Sequence, residues 1–324
     1  MSLPLSILDL ATVGRGESVA ESLANSVALA RRAEELGYRR VWYAEHHNMD
    51  RIASSATSVL IGHVAAHTST IRLGSGGVML PNHAPLTIAE QFGTLETLHP
   101  GRIDLGLGRA PGTDQNTLQA LRRDPRASET FPGDVQELQG YLGDRTLVEG
   151  VNAIPGRGTH VPLYILGSSL FGAKVAAALG LPYAFASHFA PDALEEAIAG
   201  YRAEFRPSEQ LSEPHVIAGV NVIAADDDAQ AQQEFQIVKR ARLRMMTRGR
   251  SLTDDEADMV LDSPQAAPVH QMVRYSAVGT ADTVGEYLDR FAKQADADEL
   301  IVAHQASTLE GRLRSAELIA PVAR

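Results

Sequence analysis

Residues 70–108, TIRLGSGGVMLPNHAPLTIAEQFGTLETLHPGRIDLGLG, decide the fold. The stretch opens on a β-type apolar run (70–80). Pro85 then starts a helix that places Ile88, Phe92, Leu95 and Leu98 on one face, and Pro100-Gly101 ends it. A second β-type run follows at 102–108. Neither run alternates apolar with polar residues. Strands that are apolar on both faces belong to a parallel sheet covered on both sides, so the stretch reads as strand, helix, strand.

The same alternation extends in both directions. LSILDLA (5–11) reads as a first strand, and Ser18 with Glu21 as a capping box. Val19, Leu23, Val27, Ala30 and Ala33 recur at helical spacing before Gly37 ends the helix. RVWYAEH (40–46) is the next strand and residues 55–69 the next helix. Beyond a polar stretch (109–130) come VPLYILGS (161–168), a helix at about 171–179, YAFASH (183–188), a helix at about 191–205, HVIAGVNVIAA (215–225), a long polar helix, and ELIVAHQ (299–305). About eight strand–helix units result. A doubly wound open sheet and a closed (β/α)8 TIM barrel both fit the alternation, and the count together with the length of 324 residues favours the barrel. A single domain over 1–324 is expected, with a charged insertion at about 240–277 that carries Pro264 and Pro268.

Composition narrows the function classes. A hydrophobic share of 44% and a charged share of 21% are ordinary for a folded globular chain. The net charge of −11 argues against a nucleic-acid partner, which needs a basic surface. The absence of Cys excludes thiolate metal sites, iron–sulfur clusters and a Cys nucleophile. The N-terminus has no basic, apolar leader and no run is long enough to span a bilayer, so no membrane association and a cytoplasmic location are expected.

In a parallel barrel, catalytic groups sit at the carboxyl ends of the strands. Those positions hold Glu45, His46 and His47, Gly76 and Gly77, His83, Arg109, Gly167-Ser168-Ser169, His188, Asn221 and His304. Adjacent strand residues point to opposite sides, so His46 and His47 cannot both face the axis. One inward His acting as acid–base group or donor is favoured. A metal held by His46, His188 and His304 across the mouth, as in a metal-dependent hydrolase, is the rival. Gly76 and Gly77 fit either relief of crowding in the barrel or a flat ligand against bare backbone. Gly167-Ser168-Ser169 precedes a helix whose free amides suit a phosphate, with Arg109 as a forked donor on the other side; a plain helix cap at Ser168 is the alternative. A flat ligand with a phosphate points to a nucleotide-like cofactor.

Taken in order, VWYAEHH, residues 74–112 and LYILGSS resemble the bacterial luciferase-like flavin-dependent monooxygenases, and the likeness runs from about residue 5 to 225 and resumes at 278–288. The resemblance implies a (β/α)8 barrel that uses reduced FMN, supplied by a separate flavin reductase, to form a C4a-hydroperoxide with O2 and oxidise a small organic substrate. It implies His46 as the catalytic histidine, with Glu45 as its neighbouring carboxylate at the cofactor. Gly76-Gly77 matches a pair joined by a cis peptide behind the flavin ring. Arg109, Gly167, Ser168 and Ser169 match the phosphate site, and His188 falls where luciferase has a tryptophan. A second phosphate arginine is missing near Phe131-Pro132, for which Arg123 or Arg126 are substitutes. Deazaflavin-dependent dehydrogenases of the same family, and a non-catalytic flavin-binding partner subunit, are the other readings. The resemblance further implies a homodimer through helices 55–69 and 86–98. The segment at about 240–277 is read as a lid, and its basic run at 239–250 as a solvated face, a reductase contact or a reach toward the phosphate.

Overall fold

Ser18 accepts the Glu21 amide at 3.2 Å and the Glu21 carboxylate accepts the Ser18 amide at 2.8 Å, so the expected capping box forms. Gly37 closes the same helix at φ 78°, a left-handed conformation that a Cβ disfavours. The computed structural model describes residues 3–110, 114–247 and 252–320. In chain order the elements are β1 (Leu5–Asp9), α1 (Val19–Leu36), β2 (Arg40–Tyr43), α2 (Thr57–Ala65), β3 (Arg72–Met79), α3 (Pro85–Leu98), β4 (Ile103–Gly108), α4 (Gln115–Ala120) and α5 (Phe131–Leu142). They continue as β5 (Leu163–Gly167), α6 (Leu170–Leu179), β6 (Tyr183–Phe185), α7 (Leu194–Glu204), β7 (Val216–Ala224), α8 (Asp228–Met246), α9 (Asp254–Leu261), α10 (Ala267–Met272), β8 (Ser276–Gly279), α11 (Ala281–Gln294), β9 (Glu299–His304) and α12 (Leu309–Ile319).

The strands pair in parallel from β1 through β7, β7 pairs with β9, and β9 returns to β1, which closes a barrel of eight strands. These eight are the strands expected from the sequence. The short β8 is an addition: it pairs with Asn221–Ala224 at the end of β7, whereas β6 pairs with Val216–Ala218 at its start. Four residues are too few to show a pattern, and this strand lies at the edge of the expected insertion. That insertion is built of the end of α8, then α9, α10 and β8. Helices α5 and α12 were not anticipated, although Phe131, Val135, Leu138 and Leu142 bury one face of α5 at regular helical spacing.

The barrel wall separates two apolar regions. Outside, helix faces and outward strand residues such as Ile7, Val41, Leu73, Val220 and Val302 form one continuous core. Inside, Leu8, Trp42, Ala44, Tyr164, Ala184, Ile217 and Ile301 form a separate plug. The amino-terminal floor is charged instead. Arg40, 1% exposed, donates to Asp104 at 2.8 Å and to the Tyr164 hydroxyl at 2.7 Å, and its Nε lies 3.0 Å from Glu299. Ser6 and Trp42 donate to Glu299 and Asp104 at 2.5 and 3.1 Å, and the partly exposed Arg72, which opens β3 at the same end, pairs with Asp104 at 2.5 Å. No helix among the described residues is long and apolar enough to cross a membrane.

Candidate active site

The parity of β2 carries past its end. Trp42 and Ala44 belong to the inner plug and Tyr43 to the outer core. His46 follows two residues after Ala44 on the inward side, and its amide donates to the Ser54 carbonyl at 3.3 Å, which holds the loop in place. Glu45 and His47 point the other way. The buried Glu45 carboxylate contacts His47 Nε2 and His83 Nε2, each at 2.8 Å, and accepts the Met79 amide at 3.1 Å. Burial alone would raise its pKa, but bonding to His47 and His83 holds it down at about 2. The same bond raises that of His47. With its oxygens engaged by His47, His83 and the Met79 amide, Glu45 fastens the ends of β2 and β3 together.

Among the described residues, Glu45, His47 and His83 are the group whose ligand atoms lie close enough, within 4.8 Å of one another, to hold a metal. Both imidazoles, however, lie 2.8 Å from the same oxygen. Ligands about 2.1 Å from a tetrahedral ion would stand roughly 3.4 Å apart, so the spacing is that of charged hydrogen bonds. The rival set of His46, His188 and His304 does not assemble. His304 shares the outward parity of Leu300 and Val302. Its Nδ1 meets Ser315 of α12 at 2.9 Å, and its ring stands edge-on to Tyr38. Continuous apolar residues along β9 gave no alternation from which to read that direction.

Inside the mouth, His46 and His188 each have a buried Nδ1 without a hydrogen-bond partner. His188 packs against Gly219, where an added Cβ would lie 2.5 Å from its Nδ1, and its carbonyl accepts Asn221 Nδ2 at 2.6 Å. Burial lowers the pKa of both rings, that of His188 to about 3, and the charge of Arg242 adds to the effect on each. Both are therefore neutral imidazoles at neutral pH. Arg242 comes from α8, inside the basic run read as a solvated face. No local signal distinguishes it from its neighbours Arg240 and Arg244; residues 248–250 of that run lie outside the described residues.

Gly76 and Gly77 sit at a register shift in β3, and the peptide between them is cis. A Cβ on Gly76 would lie 2.8 Å from Leu8 and 2.9 Å from Trp42, and one on Gly77 would lie 2.7 Å from the Gly106 carbonyl. Crowding alone thus demands glycine at both positions. At the end of the neighbouring β4, the Arg109 guanidinium lies 4.1 Å above the Phe171 ring in the first turn of α6. The N-cap is Ser169, not Ser168, and its hydroxyl makes no capping bond. The amides of α6 and the hydroxyls of Ser168 and Ser169 are thus beside Arg109, a donor set suited to a phosphate. Arg123 donates to the Asn82 carbonyl at 2.9 Å, whereas Arg126 is exposed and pairs with Asp124 at 3.3 Å.

Ser58 of α2 donates to Gln91 of α3 at 2.8 Å, so the two helices expected at a dimer contact are neighbours. Val59 is 71% exposed and Leu98 66%, which removes Leu98 from the buried face expected for α3.

The sequence profile of the luciferase-like monooxygenases matches residues 3–298. A luciferase-like monooxygenase of Escherichia coli (strain K12) is 48% identical over 98% of this chain and 96% of its own length. The N-acetyl-S-alkylcysteine monooxygenase of Bacillus subtilis (strain 168) is 34% identical over 92% of this chain and 91% of its own. The crystal structure of apo-MsnO8 is 38% identical, covers 99% of this chain and 98% of its own, and superposes with a TM-score of 0.89. Strand order, rim and sequence agree: the chain belongs to the luciferase-like monooxygenase family, oxidoreductases built on a closed parallel barrel.

Proposed function

We propose that this chain is a flavin-dependent monooxygenase that receives reduced FMN from a separate reductase and uses O2 to oxidise a small organic substrate. The observation that carries the reading is the mouth itself: a neutral, unpartnered His46 and His188 stand inside a rim whose cation, Arg109, adjoins the free amides of α6. Bound reduced FMN supplies the two electrons that let one oxygen atom of O2 enter the substrate while the other leaves as water. Arg109, Gly167, Ser168 and Ser169 hold the phosphate, and the Gly76-Gly77 backbone offers a flat face to the ring. His188 closes the pocket with an uncharged ring. His46 Nδ1 accepts or holds a proton at the reacting centre, a role that its lowered pKa suits at neutral pH. The described parts of the segment at about 240–277, residues 240–247 and 252–277, cover the mouth and exclude water. Val59 and Leu98 lie on the face through which two copies pair, because burying such side chains gains roughly 1.5–3 kcal/mol each.

The Bacillus subtilis relative is named for an oxygenation, which supports oxygen transfer over the hydride transfer of a deazaflavin dehydrogenase. The test is a titration with FMN and with riboflavin, followed by stopped-flow reoxidation of photoreduced FMN on the protein. Tighter binding of FMN, lost in Arg109→Ala, and release of H2O2 slower than from free FMN are expected. Equal binding of the two flavins with reoxidation as fast as in solution would overturn the proposal, and turnover of reduced deazaflavin without O2 would replace it.

A further inference from the structure

Helix α8 carries three arginines that alternate along the chain, and they meet different fates. Arg240 Nε donates to Asp258 at 2.7 Å, and Arg244 pairs with Asp254 at 2.5 Å, both on α9. Two residues along a helix is a turn of about 200°, so Arg242 points away from those carboxylates. Among the described residues it has no carboxylate within ion-pairing distance, and its near contact is Met245 Sδ at 4.0 Å. Its side chain is partly buried, which lowers its pKa, and its charge reaches both His46 and His188. A partly buried cation without a counter-ion gains from an anion that arrives beside it, through charge-assisted hydrogen bonds.

The neighbours are equally short of one. His46 Nδ1, His188 Nδ1 and Asn221 Oδ1 are buried and unpartnered, and the two imidazoles are uncharged, so Arg242 is the cation of the group. Beside it the rim is apolar: Phe189 stands edge-on to His188, and Phe189 and Met245 are each about half exposed. We infer that Arg242 pairs with the carboxylate of the organic substrate, so that the enzyme selects small organic anions whose apolar arm lies against Phe189 and Met245. This rests on the monooxygenase reading and adds the substrate class to it. A guanidinium presents a fork of N–H donors that a carboxylate fills with two parallel bonds, whereas an amide or alcohol of equal length offers one acceptor and no charge.

Calorimetry with straight-chain carboxylates of four to ten carbons, each against its primary amide, tests this on the FMN-loaded protein. At least one carboxylate should bind tenfold or more tightly than its amide. Arg242→Gln should erase that preference while leaving FMN affinity unchanged. Arg242→Lys should keep part of it, and Arg240→Gln, on the face turned to α9, all of it. Thermal stability of Arg242→Gln should equal or exceed that of the parent, since it removes an unanswered charge; a purely structural arginine would lower it. No preference anywhere in the series, preference retained in Arg242→Gln, or loss of FMN binding in that variant would each overturn the inference. If the protein binds no FMN, the monooxygenase reading fails separately, and the carboxylate comparison on the flavin-free protein still decides the role of Arg242.

Discussion

At the floor of the barrel Arg40 meets Asp104 and Glu299, and Tyr164, Trp42 and Ser6 complete the bonds. At the mouth His46, His188 and Arg242 gather, and among the described residues Arg242 has no carboxylate within ion-pairing distance. Both ends gather polar groups, but the floor meets its cation with two carboxylates of the chain, whereas the mouth leaves imidazole nitrogens unpartnered. A charge-matched cluster seals one end of the barrel. An unsatisfied one keeps its donors and acceptors for whatever enters. Buried polar groups without partners cost about 1–3 kcal/mol each, so the floor contributes to folding and the mouth detracts from it.

The contrast breaks most sharply at Arg40. Arg40→Met removes the fully buried cation that Asp104 and Glu299 share and should cost about 3–5 kcal/mol in denaturant unfolding. Adding Asp104→Asn and Glu299→Gln should return much of that loss. A single variant as stable as the parent would show that the floor is not a matched cluster. At the mouth the expectation reverses. His46→Ala should change unfolding free energy by less than about 1 kcal/mol, yet lower product formation about a hundredfold or more, with H2O2 released instead. Flavin affinity measured alongside should stay the same, and a parallel loss of stability would place His46 with the structural groups.

Glu45 lies between the two cases. Glu45→Gln removes the charge bonded by His47 and His83, and should cost about 1–3 kcal/mol and lower the His47 pKa toward its ordinary 6.5 as followed by NMR. An unmoved His47 titration would detach it from Glu45. The smallest effect is on pH dependence. The folded pKa of His188 lies at about 3, below its ordinary 6.5, so between these values the unfolded chain binds more protons than the folded one. Stability should therefore fall as pH drops below about 6.5, and His188→Asn should flatten that slope between pH values of about 7 and 5. His47 acts with the opposite sign: its raised pKa gives stability that is present below 6.5 and lost as pH rises through the folded value. A His188→Asn slope equal to that of the parent would show the ring to be solvated.

Much of the fold was legible because its signals are local. The Ser18–Glu21 box and Gly37 bound α1 within a few neighbouring residues, and eight continuously apolar runs between helical patterns are the eight barrel strands. The rim was legible for the same reason, since the ends of those runs are where the polar residues begin. The very continuity that reveals a doubly buried strand hides which of its faces looks inward. His46 could be narrowed to one of two adjacent imidazoles, because adjacency fixes opposition. His304 could not be placed, and it faces α12. Ser169 rather than Ser168 caps α6 because a one-residue shift in the turn leaves no trace in the sequence.

The sequence by itself determined the alternation of strand and helix, the polar rim and the opposed directions of His46 and His47, since each depends on residues a few positions apart. Only the tertiary structure decided that Arg240 and Arg244 meet acids on α9 while Arg242 turns to the mouth, and that Glu45 is consumed by His47 and His83. Those outcomes depend on which distant groups come within a few ångströms. A charge run reads the same along the chain whether its members end beside carboxylates or beside an empty pairing position.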